Sequence, residues 1–288
     1  MSNAEVSHAA VLPDRPVVGI LHPGAMGAAL GSALKPRAGA VVWAAAGRSD
    51  VTSKRAEIAD LVGVPDVAEL ARRSDVVISI CPPHAALDVA GQVADAVRDH
   101  PHPPLYVDAN AVSPATVEKI AALFDRDRVV DGSVIGPAAW EAGRTVLWLA
   151  GTAAPAVASL FEGSPFAARV LDADLGAASA LKACFALHTK ALPTIWAVMT
   201  AAARDYGVLA DLRAEVGRMG GDLDAQLAAL GGRSGDRAWR WAGEMDEAAD
   251  TVAAKGLPDG FSRAAAEVYR RLAAGTLDLQ LYRPERPE

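Results

Sequence analysis

The chain has 288 residues, 51% of them apolar, and 28 basic against 35 acidic side chains give it a formal net charge of −7. This acidic balance argues against nucleic acid or an anionic membrane surface as a partner. The two cysteines form no disulfide framework, and no apolar run reaches about 18 residues. We therefore expect a cytoplasmic globular protein, and we expect no metal site.

The first predicted elements are a strand, a glycine-bearing turn and a helix. Val17–Leu21 is a short apolar run suited to a buried parallel strand. His22–Gly27 then has the spacing of the dinucleotide fingerprint G-x-G-x-x-G, with His22 in place of the first glycine. Gly24 would let the backbone approach a pyrophosphate, and Gly27 would let the helix pack close to the strand. The positive end of that helix would face the phosphates.

Strands and helices alternate as far as about residue 173. The further predicted strands are Ala40–Ala46, Asp75–Cys81, Leu105–Ala109, Val129–Val134, Thr145–Ala150 and Arg169–Leu171. The predicted helices between them are Asp50–Leu61 with Asp50 as its N-cap, Val67–Ala71, Ala85–Val97, one opened by Ser113-Pro114, and Ala154–Phe161. Such alternation with short connections predicts an α/β fold with a doubly wound parallel sheet.

After Gly176 the pattern becomes wholly helical. The predicted helices are Ala177–Tyr206, kinked at Pro193, then Ala214–Leu230, Arg237–Ala254 and Ser262–Ala274. We therefore expect a flexible leader at 1–14, a Rossmann domain at 15–173 and a helical substrate and dimerisation domain at 174–288. A long interdomain helix would join the two domains, and the tail after Tyr282 would be frayed.

The end of the second strand indicates which cofactor binds. NAD enzymes place an acidic residue there for the ribose 2′-hydroxyl, whereas NADP enzymes often place an arginine. This chain has Arg48 and Ser49, with no carboxylate before Asp50. A guanidinium and a hydroxyl suit a 2′-phosphate, and Lys54 would add charge. We expect NADP; the alternative is a solvated arginine at the end of a strand.

Five motifs follow one another in a recognisable order: HPGAMG at 22–27, SICPP at 79–83, VDANAVSP at 107–114, DGSVIGP at 131–137 and GAASALKACFALHTK at 176–190. Over nearly its whole length the chain resembles the β-hydroxyacid dehydrogenase and 6-phosphogluconate dehydrogenase superfamily. It most resembles the NAD(P)-binding oxidoreductases that have a DUF1932-type C-terminal domain.

The resemblance implies roles for the loops of the Rossmann domain. The turn over the pyrophosphate would consist of His22, Pro23, Gly24, Ala25, Met26 and Gly27, and the loop lining the nicotinamide riboside of Cys81, Pro82 and Pro83. Asn110 would replace a serine that contacts nicotinamide or substrate. Ser133 and Gly136 match a loop that holds the substrate carboxylate, with a plain glycine turn as the alternative. Cys81 is not expected to be a nucleophile, because nothing near it in sequence would lower its pKa.

Lys182 matches the superfamily lysine that exchanges a proton with the substrate oxygen during hydride transfer. Oxidation of an alcohol releases a proton, and a lysine among apolar neighbours in a closing cleft would have its pKa lowered toward neutrality. Hydroxyacid dehydrogenases usually carry an asparagine four residues later, where this chain has Ala186. Thr189 or Lys190 would supply the missing polar group for substrate binding.

These expectations lead to one main hypothesis and two alternatives. The main hypothesis is an NADP-dependent oxidoreductase that transfers a hydride between nicotinamide and a small, anionic, hydroxy-acid-like or related carbonyl substrate. The protein would be a homodimer through its helical domain. One alternative is an imine reductase, against which Lys182 counts. The other is a non-catalytic NADPH-binding sensor or assembly protein.

Overall fold

The computed structural model describes residues 11–231 and 238–277. The chain divides into two compact units, Met1–Lys182 and Ala183–Glu288. The first unit is α/β and the described part of the second is helical, which confirms the expected fold class.

One sheet organises the first unit. Its strands are β1 (Val17–Leu21), β2 (Ala40–Ala44), β3 (Val62–Val64), β4 (Val76–Ser79), β5 (Leu105–Asp108), β6 (Val129–Ile135), β7 (Val146–Ala150) and β8 (Ala167–Val170). They lie in the order β3-β2-β1-β4-β5-β6-β7-β8. The order steps outward in both directions from β1 and β4, as in a doubly wound sheet.

The predicted parallel sheet has one antiparallel pair. Strands β6 and β7 are antiparallel, with Ile135 opposite Val146. The described segment 136–145 between them contains no helix, so the chain turns back directly and lacks the crossover that parallel strands need. Strand β3 was not predicted, because it has only three residues, and Val62 is 54% exposed at the edge of the sheet.

Helices cover both faces of this sheet. They are α1 (Ala25–Leu34), α2 (Asp50–Ile58), α3 (Val67–Arg73), α4 (Ala86–Val97), α5 (Pro114–Ala121) and α6 (Ala154–Ser159), followed by α7 (Ala177–Ala186). One core packs Leu30 of α1 and Val157 of α6 against the strands. The other packs Leu70 of α3, Val93 of α4 and Ile120 of α5. Burial on both faces explains the nearly unbroken apolar runs of the central strands.

The first residues of α5 and α2 test the two N-caps predicted from the sequence. Ser113 caps α5 as predicted, accepting a 3.3 Å hydrogen bond from the Thr116 N–H. At α2, however, the cap is Ser49, which accepts from the Thr52 N–H at 3.3 Å. Asp50 is the first helical residue, so its predicted cap role is wrong, although a carboxylate there still favours the helix dipole.

The described helices of the second unit are α8 (Leu192–Asp205), α9 (Leu209–Arg218), α10 (Leu223–Gly231), α11 (Ala238–Ala253) and α12 (Gly260–Ala273). A π-helical turn, Leu187–Ala191, precedes α8, so the predicted long helix is interrupted just before Pro193. The prediction of one helix over Ala214–Leu230 is wrong. Gly220, at φ 80°, terminates α9, and α10 starts a new helix.

The division between the units lies at Lys182, later than the predicted boundary near residue 173. The first turn of α7 stays with the first unit because Ser179 is hydrogen-bonded to Asp131 of β6. Most of the predicted leader and the whole predicted frayed tail lie outside the described residues. Within the described ranges, no helix has the length and apolar character needed to cross a membrane.

Candidate active site

The predicted fingerprint turn lies at the carboxyl end of β1. Its backbone is tight: the Gly24 N–H donates to the His22 carbonyl at 2.7 Å. A Cβ on Gly27 would lie 2.5 Å from that same carbonyl oxygen, so only glycine fits there. A Cβ on Gly24 would meet nothing within 4 Å, so that position faces open space. Gly24 is also the N-cap of α1 and provides no side chain to cap the helix N–H groups.

His22 has a backbone conformation that is unusual for a residue other than glycine. Its φ of 65° is the left-handed region that glycine adopts freely, which explains why most relatives of this fingerprint carry glycine here. Its side chain is partly buried, and burial together with the charge of Arg48 lowers the pKa of His22 to about 4. The imidazole is therefore neutral at pH 7. Within the described ranges, Nδ1 is buried and has no hydrogen-bond partner.

Arg48 lies within electrostatic range of the fingerprint turn. Its charge acts on both His22 and Cys81. Its Nε is buried and, within the part of the chain that the structure describes, makes no hydrogen bond. The two neighbouring candidates have other contacts: Ser49 caps α2, and the Lys54 ammonium pairs with Glu57 at 2.9 Å on the exposed helix surface. Of the three residues predicted to hold a 2′-phosphate, only Arg48 acts on the turn.

Cys81 follows β4 and is nearly buried. Burial raises the pKa of Cys81 to about 11, so the thiol is protonated at neutral pH, in agreement with the expectation that it is no nucleophile. Its Sγ lies 3.9 Å from the Ser79 hydroxyl. Pro82 and Pro83 come next and lead into a short 3₁₀ turn, Pro83–Ala85.

Asn110 braces the ends of β4 and β5. Its Oδ1 accepts a 2.6 Å hydrogen bond from the Cys81 N–H, and its Nδ2 donates to the Ser79 hydroxyl at 3.1 Å and to Asp108 Oδ1. The side chain is 1% exposed. Both amide hydrogens, which the sequence analysis assigned to nicotinamide or substrate, are thus already used within the protein. In this geometry Asn110 holds the loop that carries Cys81.

Polar side chains lie side by side on three central strands, at the last residues of β4 and β5 and within β6. Ser79 of β4 is in register with Asp108 of β5, and Asp108 is in register with Asp131 of β6. All three are fully buried. Burial raises the pKa of Asp108 to about 7; hydrogen bonds from Asn110 oppose this rise, and the neighbouring Asp131 adds to it.

Asp131 binds the amino end of α7. Its Oδ1 accepts a 2.6 Å hydrogen bond from the Ser179 hydroxyl, and its Oδ2 accepts a 2.9 Å hydrogen bond from the Ser179 N–H. The backbone N–H groups of Gly176 and Ala178 also donate to it. Burial raises the pKa of Asp131, and these donors oppose that rise. A carboxylate on a helix N-terminus is favourable, so Asp131 fixes where α7 starts.

Lys182 follows Ser179 on α7 by three residues, which places both on one side of the helix. Its charge acts on Asp108 and opposes the rise of that carboxyl pKa. The predicted proton-relay lysine thus lies within electrostatic range of the carboxyl end of β5.

The predicted substrate loop follows on the same strand. Ser133 is two residues beyond Asp131 on β6, hence on the same face, and is fully buried. Its Oγ has no hydrogen-bond partner among the residues described. Gly136 has φ 131°, and a Cβ there would lie 2.6 Å from the Thr145 hydroxyl. This position requires glycine for the turn into β7, whatever else it does.

The two candidates in the second unit have partners of their own. The Thr189 hydroxyl donates to the Phe185 carbonyl at 3.1 Å, along the helix. The Lys190 ammonium forms an ion pair with Glu244 of α11, with both side chains mostly buried. The Lys190 carbonyl accepts a 3.0 Å hydrogen bond from the Tyr269 hydroxyl. Their assignment to substrate remains a prediction.

Sequence reasoning missed the buried carboxylates and their serine partner. Asp108, Asp131 and Ser179 lie inside quoted motifs, yet no role was given to them. The available signal was an aspartate within or at the end of each of two apolar strands. A charge in such a place requires a partner.

Comparison with known proteins agrees with this architecture. Residues 203–272 match the model of the domain of unknown function DUF1932. A curated relative, an uncharacterized 28.5 kDa protein from Methanothermus fervidus, is 31% identical over 166 residues. That alignment covers 58% of this chain and 62% of the relative, so less than two thirds of the relative is spanned.

Solved structures match over nearly the full length. A conserved protein of unknown function, described as structurally similar to 3-hydroxyacid dehydrogenases, has a TM-score of 0.66 at 24% identity and covers 92% of this chain and 98% of its own. The 3-hydroxyisobutyrate dehydrogenase of Mycobacterium tuberculosis, solved with L-serine, has a TM-score of 0.68 at 19% identity, covering 93% and 97%. The Aspergillus terreus reductive aminase, solved with NADPH and ethyl levulinate, reaches 0.52 at 17% identity, covering 93% and 98%.

These matches define the class of the molecule by its fold. The chain has the fold of the 3-hydroxyacid dehydrogenases, and its C-terminal part contains a DUF1932 domain. The resemblance expected from the sequence motifs is confirmed at the level of domain and fold.

Proposed function

We propose that this protein is an NADP-dependent oxidoreductase that transfers a hydride between nicotinamide and a small hydroxy-acid-like or related carbonyl substrate. The observation that carries the proposal is the placement of Lys182, whose charge acts on Asp108 at the carboxyl ends of the central strands. Doubly wound sheets bind their ligands at the carboxyl ends of the strands. A proton-exchanging lysine there meets the chemical need of alcohol oxidation.

The glycine turn fits a dinucleotide. Gly24 faces open space where a pyrophosphate would approach, and α1 begins directly behind it. The residues from His22 to Gly27 would hold the phosphates, and Cys81, Pro82 and Pro83 would line the nicotinamide riboside. When bound, the cofactor supplies the ring that accepts or donates the hydride.

Arg48 supports the choice of NADP over NAD. Its Nε has no hydrogen-bond partner within the described part of the chain, and its charge lies near the turn. A guanidinium in that place can grip a 2′-phosphate through charge-assisted hydrogen bonds. Ser49 and Lys54 would contribute only by leaving the helix cap and the Glu57 pair that they form now.

Substrate binding is proposed at the loop after β5 and along β6. The Ser133 hydroxyl, buried and without a partner in the described residues, is suited to accept a ligand hydrogen bond or donate one. Gly136 belongs to the proposed set in this unit, and the assignment of Thr189 and Lys190 of the second unit to an anionic substrate stays a prediction. Asn110 would act by holding the Cys81 loop in position.

We also propose that the protein forms a homodimer through the helical unit. Helix α8 exposes Leu192, Ile195 and Val198, at 43%, 52% and 50% of their surface. Spacing of three residues puts these apolar side chains near one another on the helix. Sedimentation of the wild type and of Ile195→Asp tests this: a dimer that dissociates supports the proposal, and a wild-type monomer refutes it.

The function is tested by fluorescence titration with NADPH and NADH, followed by a panel of hydroxy acids, semialdehydes and cyclic imines. We expect tighter binding of NADPH and turnover of a hydroxy acid or its carbonyl partner. Turnover of cyclic imines alone would favour an imine reductase. Tight NADPH binding without oxidation by any compound would favour a sensor.

A further inference from the structure

Two buried carboxylates lie next to each other in β5 and β6 and differ in their partners. Asp131 receives donors from Gly176, Ala178 and Ser179, at the start of α7. Among the described residues, the donors to Asp108 come only from Asn110, and both reach the same oxygen, Oδ1. The other oxygen, Oδ2, is buried and, in the described part of the chain, hydrogen-bonded to nothing.

The anchoring of α7 determines what lies near Asp108. Ser179 is fixed to Asp131, and Lys182 lies one helical turn further on the same side. The strand next to β6 is β5, so this turn of α7 brings the Lys182 charge within electrostatic range of Asp108. The contact between Asp131 and Ser179 therefore fixes both the start of α7 and the position of Lys182.

We propose that Asp108 is a positioning residue that sets the protonation state of Lys182. The two groups act on each other through their charges: an ionised Asp108 carboxylate favours the Lys182 ammonium, and a protonated Asp108 favours the neutral Lys182 amine. The neutral amine can then take the proton of a substrate hydroxyl, so this role in catalysis rests on the proposed function.

The surroundings of Asp108 favour such electrostatic coupling. Burial raises the pKa of Asp108 to about 7, into the range where it exchanges a proton at neutral pH. The titratable groups that act on it or respond to it are Asp131 from β6, Cys81 from the loop after β4, Tyr106 on its own strand and Lys182 from α7. Among these only Lys182 stabilises the ionised carboxylate by its charge.

The test follows the titration of Lys182 directly, in the full-length protein without cofactor or substrate. The chain has six lysines, so reductive ¹³C-dimethylation gives few resonances, and Lys182→Arg assigns the one of interest. We expect Asp108→Asn to move the midpoint of the Lys182 titration to lower pH by about one pH unit or more. Asp99→Asn, the same change at an exposed site, should leave it in place. An equal midpoint in wild type and D108N would overturn the proposal.

A reciprocal measurement covers the case in which D108N does not fold. The ¹³Cγ resonance of Asp108 is titrated in the wild type and in Lys182→Gln, and coupling requires its midpoint to rise in K182Q. An unmoved Asp108 midpoint would also contradict the proposal. Both titrations are independent of the proposed function: coupled titrations without hydride transfer would remove only the oxidoreductase, and hydride transfer without coupling would remove only this inference.

Discussion

The Ser179 hydroxyl donates a 2.6 Å hydrogen bond to Asp131, tying the start of α7 to β6. This contact joins the helix that carries Lys182 to the side of the sheet formed by the carboxyl ends of its strands, where the glycine turn and the Cys81 loop also lie. The position of Lys182 therefore depends on a serine and an aspartate that do not themselves perform the proposed chemistry.

Removing this tie should weaken the fold measurably. Ser179→Ala leaves a buried carboxylate with fewer donors, and we expect the free energy of unfolding to fall by about 1–3 kcal/mol. Urea denaturation measures it. Ser159→Ala is the control, because that exposed hydroxyl donates to the Ala156 carbonyl on its own helix, at 2.8 Å. Equal stability of the two variants would show that the Asp131 contact contributes nothing special.

Stability should depend on pH through Asp108. The native residue keeps its proton up to about pH 7, whereas an unfolded aspartate releases it near pH ~4. The native state thus binds more protons between these values, so Asp108 makes stability fall as pH rises, by at most about 1.4 kcal/mol per pH unit.

The check is urea unfolding of wild type and Asp108→Asn across this range. The wild type should lose stability relative to D108N as the pH rises toward 7, and the difference should level off above it. Parallel curves would mean that the Asp108 pKa is not raised.

The two glycines of the fingerprint turn should respond differently to alanine. In Gly27→Ala the new Cβ would meet the His22 carbonyl at 2.5 Å, and we expect destabilisation of roughly 1–3 kcal/mol. In Gly24→Ala the methyl group faces open space, so stability should change by less than about 0.5 kcal/mol. NADPH affinity should nevertheless fall about tenfold in G24A, because the methyl group stands where the pyrophosphate approaches. Unchanged affinity in G24A would place the cofactor elsewhere.

Arg48 should decide between the two nicotinamide cofactors. A charge-assisted hydrogen bond contributes about 1.5–3 kcal/mol, so Arg48→Ala should raise the Kd for NADPH roughly ten- to hundredfold. The Kd for NADH should hardly change. Lys54→Ala is the control, since that ammonium pairs with Glu57 on the exposed surface. A loss of affinity for both cofactors alike would argue against a 2′-phosphate contact.

The sequence allowed the order of strands and helices and the glycine turn to be predicted, because apolar runs and glycine spacing are local signals. Strand β3 and the antiparallel direction of β7 were not predicted, because short edge strands and strand direction depend on the neighbouring strand. The partner of Asp131 could not be foreseen either. Ser179 lies 48 residues after Asp131 in the chain. Its importance becomes clear only in the fold, where β6 is in register with β5 and the Ser179 contact places α7 near Asp108.

Two polar residues predicted to contact ligands also make hydrogen bonds within the protein, which the sequence did not predict. Ser49 was assigned to a phosphate, yet the start of α2 uses it as a cap, which any short hydroxyl before a helix can become. Asn110 was assigned to a ligand, yet its amide joins Ser79, Cys81 and Asp108. Both residue types occur at binding sites and at loop junctions, so composition alone could not separate the two uses.

The most direct test of the account is hydride transfer by Lys182→Ala with the substrate found in the panel. NADPH affinity should stay within about threefold of wild type, and turnover should fall by roughly 10²–10⁴-fold, the usual contribution of a general acid or base. Full turnover in K182A would contradict the central claim that this lysine moves the proton.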